Sequence, residues 1–148
     1  MKLYLYGGLV MNEDIPEYYR ERPALLKFGN DFVEYAYDKT IERYYNAYEK
    51  KGNPKFLEKI EPYINSFSEE QMVALKLLTK KIIFDSMLGV LDRFELNLDF
   101  KLIVQHDGKE TEISKLNDDD PYDSNEFLFD MIGEDGLINI LSKYGIVE

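Results

Sequence analysis

The chain has 148 residues, one histidine, no cysteine and a formal net charge of −11. The length suffices for a core without covalent staples, and the missing thiols exclude disulfides, thiolate metal sites and cysteine nucleophiles. The charge argues against direct contact with nucleic acid or an anionic membrane surface.

Residues 2–6 are a short run of strand formers closed by Gly7 and Gly8. From residue 9 to residue 29, Pro16, Pro23 and Gly29 punctuate the chain and leave room for one short helix. A helix is expected from about Asp31 to Lys51, capped by Asn30 and stopped by Gly52 and Pro54. Phe56, Leu57, Ile60 and Ile64 continue the apolar pattern across a break at Pro62.

The strongest helix signal opens at Ser68-Glu69-Glu70-Gln71, which has the form of a capping box. The helix is expected over about 69–93. Leu75, Leu78, Ile82 and Ser86 share one stripe, and Phe84, Met87, Leu88 and Leu91 another. A helix apolar on most sides is expected to be buried from several directions, which makes Ile82 to Leu91 the expected centre of the core. A hairpin follows over about 100–113, turning at Asp107-Gly108, with Phe100, Leu102, Val104 and Ile113 toward the core. Ser124 is placed to cap a helix holding Phe127, Leu128 and Met131, and a last helix is expected over Asp135 to Lys143. The whole, residues 1–148, reads as a single helix-rich α+β domain with a small antiparallel sheet packed on a long central helix.

Residues 1–91 carry 13 basic and 14 acidic side chains, whereas residues 92–148 carry 5 basic and 15 acidic. The most acidic stretch, Asp118-Asp119-Asp120-Pro121-Tyr122-Asp123, lacks the glycine and the closing glutamate of an EF-hand loop. It reads as a docking surface or a solvated loop, and no metal or cofactor is expected. His106 sits beside the hairpin turn, is expected to be exposed, and has no serine motif to complete a triad. Asp85 lies between Phe84 and Ser86 in the most apolar segment, so it is either a structural partner or partly exposed, or it lines a functional site. Lys76, Lys80 and Lys81 form a small basic patch on the expected solvent side. The tyrosines at 18, 19, 35, 37, 44, 45 and 48 serve either core packing or recognition, Tyr37 and Tyr45 being the candidates for an outward face.

Residues 68–91, SEEQMVALKLLTKKIIFDSMLGVL, resemble the central helix of small acidic bacterial immunity proteins. Gly133-Glu134-Asp135-Gly136-Leu137-Ile138, followed by Leu141-Ser142-Lys143-Tyr144, is similar to their closing segment. The likeness covers the carboxyl-terminal half, and its motifs are not specific to that family. It implies a protein that binds and neutralises a toxin. Separately, with no signal-peptide pattern and no apolar run of membrane length in the sequence, the chain is expected to be cytoplasmic.

The expected function is therefore a protein-binding module for a basic partner. Asp118, Asp119, Asp120, Asp123 and Glu126 would meet the cationic surface, and Tyr37 and Tyr45 would anchor the centre. Two alternatives stand beside it. One is a DNA mimic that inhibits a nucleic-acid-binding protein, and the other is a small enzyme or ligand-binding domain with a pocket near Asp85.

Overall fold

The computed structural model describes residues 3–6, 9–12, 17–51, 55–96, 99–113 and 124–132. The architecture is helix-rich α+β. Strand β1 (Leu3–Tyr6) pairs antiparallel with β2 (Leu9–Asn12), with Tyr6 opposite Leu9. The second strand of this pair was not expected. Leu9-Val10-Met11 is too short a run to show a period.

Helix α1 (Glu17–Arg20) leads into α2 (Pro23–Phe32), a π-helical segment (Val33–Asp38) and α3 (Lys39–Tyr48), which run on as one helix. Three expectations are corrected here. Pro23 opens α2 at its first turn, where the missing N–H costs nothing. Gly29 lies inside α2 and breaks nothing. A Cβ at this position would overlap the Met131 methyl and stand 2.8 Å from Phe127 Cζ. Asn30 is therefore a buried residue of the helix interior, not a cap.

The π segment widens the turn, so buried Val33, Tyr37 and Ile41 recur at intervals of four and stay on one face. This under-winding explains why the apolar pattern fits a 3.6-residue period only in part. The helix ends ahead of Gly52, with Glu49 as its C-cap and Lys50 in the left-handed conformation at φ +58°. A short 3-10 turn (Lys55–Leu57) and α4 (Glu61–Ile64) follow, with Pro62 in the first turn of α4 instead of at a break.

Helix α5 (Glu69–Leu96) begins as its sequence requires. The Ser68 N–H donates to Gln71 Oε1 at 2.8 Å, and the Gln71 N–H donates to Ser68 Oγ at 3.2 Å. Strands β3 (Ile103–His106) and β4 (Lys109–Glu112) form the expected hairpin, with φ +50° at Asp107 and +71° at Gly108. Positive φ at both turn residues matches the right-handed twist of the strands. Leu102, Val104 and Ile113 join the core, but Phe100 is exposed. Beyond its own two strands the hairpin leans mainly on α2. Helix α6 (Ser124–Ile132) starts at the expected serine.

The core centre also moves. Leu26 of α2 and Phe127, Leu128 and Met131 of α6 are fully buried, so α6 lies at its heart, packed on both α5 and α2. Tyr19 is sealed into it, its hydroxyl donating to Asp130 Oδ2 at 2.8 Å. Of α5, only Phe84, Met87, Leu91 and Thr79 are buried. Among the described residues no helix is long and apolar enough to cross a membrane. The stretches 117–123 and 135–143 lie outside the described residues.

Candidate functional site

Tyrosines fix the relation of α3 to α5. The Tyr48 hydroxyl and Thr79 Oγ1 share a buried hydrogen bond of 2.8 Å, and the Tyr45 hydroxyl donates to the Lys76 carbonyl at 3.1 Å. Lys76 Nζ reaches Glu49 at 2.7 Å and lies 5.0 Å from the centre of the Tyr45 ring. Lys76 is thus a cross-link between helices, not the solvent marker it was expected to be. Lys51 also pairs with Glu49, at 2.8 Å. The two ammonium groups hold the Glu49 carboxyl down to about 2.

Beside this pinned contact, the last turn of α2, the π segment, α3 and α5 border a groove of about 500 Å³. Phe32, Ala36 and Tyr44 form one wall. The other is the stripe Leu75, Leu78, Ile82, Ser86 and Val90 of α5, recurring every three or four residues. Leu78 is 55% exposed, Ile82 56% and Val90 49%. This overturns the expectation that α5 is buried from several directions: one of its two apolar stripes packs and the other faces outward. The hydroxyls on this side are turned back to their own helix. Thr79 Oγ1 donates to the Leu75 carbonyl and Ser86 Oγ to the Ile82 carbonyl, both at 2.8 Å. What remains toward the groove is mainly hydrocarbon, with Arg43 and Thr40 at its border.

Tyr37, expected outside, is only 3% exposed and belongs to the core. The cause is the spacing of four through the π segment, which carries it inward with Val33 and Ile41. Burial pushes its hydroxyl up to about 12, with Tyr45 and Asp38 adding in the same direction. Tyr45 is half-buried, its hydroxyl engaged with Lys76 and its pKa raised by burial and by Tyr48. Asp38 is raised by burial and by Glu34. Tyr35 alone of the seven named tyrosines is exposed, with the Lys39 ammonium 3.8 Å above its ring centre.

Asp118, Asp119, Asp120 and Asp123 lie outside the described residues, and Glu126 falls in the first turn of α6. Asp85 is exposed and accepts a 2.6 Å bond from Lys81, one turn earlier. It does not line the groove. Asp85 is thus exposed and paired, as one of its two sequence readings expects, because its apolar neighbours in sequence point to other sides of the helix. His106, expected exposed, has a side chain only 8% accessible. The groove had one sequence signal: two apolar stripes on one helix, more than a single packing partner can cover. Among the described residues no group of three or more metal-ligating side chains comes together.

No protein-family model, no curated protein and no solved structure matches this chain.

Proposed function

We propose that this chain is a protein-binding module that receives a basic amphipathic helix of its partner in the groove between α3 and α5. The partner class is that of the immunity-type reading, a toxin or effector domain with a cationic surface. The carrying observation is the outward stripe of Leu78, Ile82 and Val90 on a helix whose other apolar stripe is already packed. Grooves of this kind accept apolar side chains at helical spacing.

Charge selects the occupant. A second copy would bring another −11, and two acidic surfaces repel. A partner with lysines and arginines flanking its apolar face gains from the same field. The carboxylates of Asp118, Asp119, Asp120, Asp123 and Glu126 contribute to that field, which speeds encounter more than it deepens affinity.

The test uses a short helical peptide of leucine and lysine, and a second with glutamate in place of lysine at identical leucine spacing. Binding is followed by calorimetry at low salt and at about 0.5 M salt, where charges are screened within a few ångströms. The lysine peptide is expected to bind and the glutamate peptide not to. Ile82→Asp and Leu78→Asp sharpen the result, because each adds negative charge. Binding through charge alone would strengthen in these variants, whereas docking in the groove weakens by at least about tenfold. Equal or tighter binding of the lysine peptide to the variants overturns the proposal. So does binding of the glutamate peptide, or self-association of the chain that Ile82→Asp abolishes.

A further inference from the structure

The groove beside the tyrosine contacts has an order along its length. Tyr45 and Tyr48 meet Lys76 and Thr79 toward one end, and from there the walls run to Phe32 and Val90. The helix that carries Phe32 to Tyr48 and helix α5 therefore lie antiparallel. Each wall advances by about one turn per step. Ala36 follows Phe32 by one turn on the first wall, and Ser86 precedes Val90 by one turn on the second. The smallest side chain of each wall thus stands opposite the smallest of the other.

The flanking steps are larger. Phe32 and Val90 close one end, and Tyr44 and Leu78 narrow the other. Between them Ser86 is exposed and Ala36 half-buried, so the space they leave opens outward. The hydroxyl protons nearby are spent inside their own helices. Ser86 Oγ donates to the Ile82 carbonyl at 2.8 Å, and Thr40 Oγ1, one turn beyond Ala36, donates to the Tyr35 carbonyl at 3.4 Å. Ile83 and Met87 join the same lining and pack inward with the core. The result is a notch that offers hydrocarbon and no hydroxyl proton.

Interfaces concentrate their binding energy in a few side chains that fill such recesses, while the contacts around them mainly exclude water. We infer, on the footing that a basic helix docks in this groove, that this helix seats one bulky hydrocarbon side chain, leucine or phenylalanine, between Ala36 and Ser86. The exposed Ile82 and Val90 flank that anchor. Ala36 and Ser86 are then the residues that decide which helices the groove accepts, because any larger side chain at either position fills the notch.

Calorimetry on the full chain tests this with two helical peptides of leucine, alanine and lysine. They differ at one central residue, phenylalanine in one and alanine in the other. The phenylalanine peptide is expected to bind at least about tenfold more tightly, the difference an anchor side chain makes. Ala36→Leu and Ser86→Leu fill the notch from either wall, at positions that are half-buried and exposed, and leucine suits a helix. Each is expected to remove the preference by weakening the phenylalanine peptide, while the alanine peptide binds as before. Val90→Leu, at the end of the groove, is expected to keep the preference. A preference that survives both Ala36→Leu and Ser86→Leu overturns the inference, as does one lost in Val90→Leu alone. Equal binding of the two peptides to the native chain also overturns it, and if Ile82→Asp then weakens both, the groove still stands as the docking site. A native chain that binds neither peptide overturns the docking of a helix as well.

Discussion

Gly29 and Gly89 both sit inside helices, yet their surroundings are opposite. A Cβ at Gly29 meets the Met131 side chain and the Phe127 ring, whereas at Gly89 it meets nothing within 4 Å. Alanine favours a helix over glycine by about 1 kcal/mol. At Gly89 nothing opposes that gain, so Gly89→Ala is expected to raise stability by about 0.5–1 kcal/mol. At Gly29 overpacking costs about 1–3 kcal/mol. The Met131 methyl can yield, but the aromatic ring is held in the fully buried α2–α6 contact. Gly29→Ala is therefore expected to be destabilising, by about 1–2 kcal/mol net. Urea denaturation of the two variants checks the opposite signs. The sequence offered no means of telling these glycines apart, because what differs is the distant α6.

At the scale of elements, the features decided within a few residues were legible. The α5 start is one: Ser68 and Gln71 satisfy each other's end amides, as their spacing implies. Ser68→Ala removes one of the two bonds at an exposed helix end. It is expected to cost about 1 kcal/mol, read as a lower urea midpoint with an unchanged slope. The β3–β4 turn is another, since Asp107-Gly108 adopts the positive φ angles that this pair of residues favours. The helix from Pro23 to Tyr48 was legible only in its second half. Its first half opens on Pro23, which suits a first turn, and contains Gly29 and Asn30, boundary signals by local propensity that packing against α6 and the core overrides.

At the scale of the whole molecule, Glu49 and Tyr37 are the described residues whose shifts reach about 2 and about 12, and they mark the two ends of the pH range. Glu49 has a folded pKa of about 2, below its ordinary 4.5. Its contribution is present above pH 4.5 and is lost as the pH falls toward 2. Asp38, raised by burial and Glu34, acts the other way, because acid relieves its charge. Tyr37 keeps its proton to about 12, so its contribution holds below pH 10 and is lost as the pH rises to 12. The urea midpoint is expected to fall on both sides of a plateau. Glu49→Gln should flatten the acid limb and Tyr37→Phe the alkaline one, where the absorbance of tyrosinate shows the late titration directly. The sequence alone determined the fold class, the long helix with its cap, the hairpin with its turn, and the acidic balance. Each depends on period, local hydrogen bonding or counting. Only the tertiary structure decided which α5 stripe is covered, that Tyr37 points inward, that Lys76 cross-links two helices, and that His106 is enclosed beside the start of α2. Burial depends on which distant segments arrive at a surface, and no local pattern of residues carries that information.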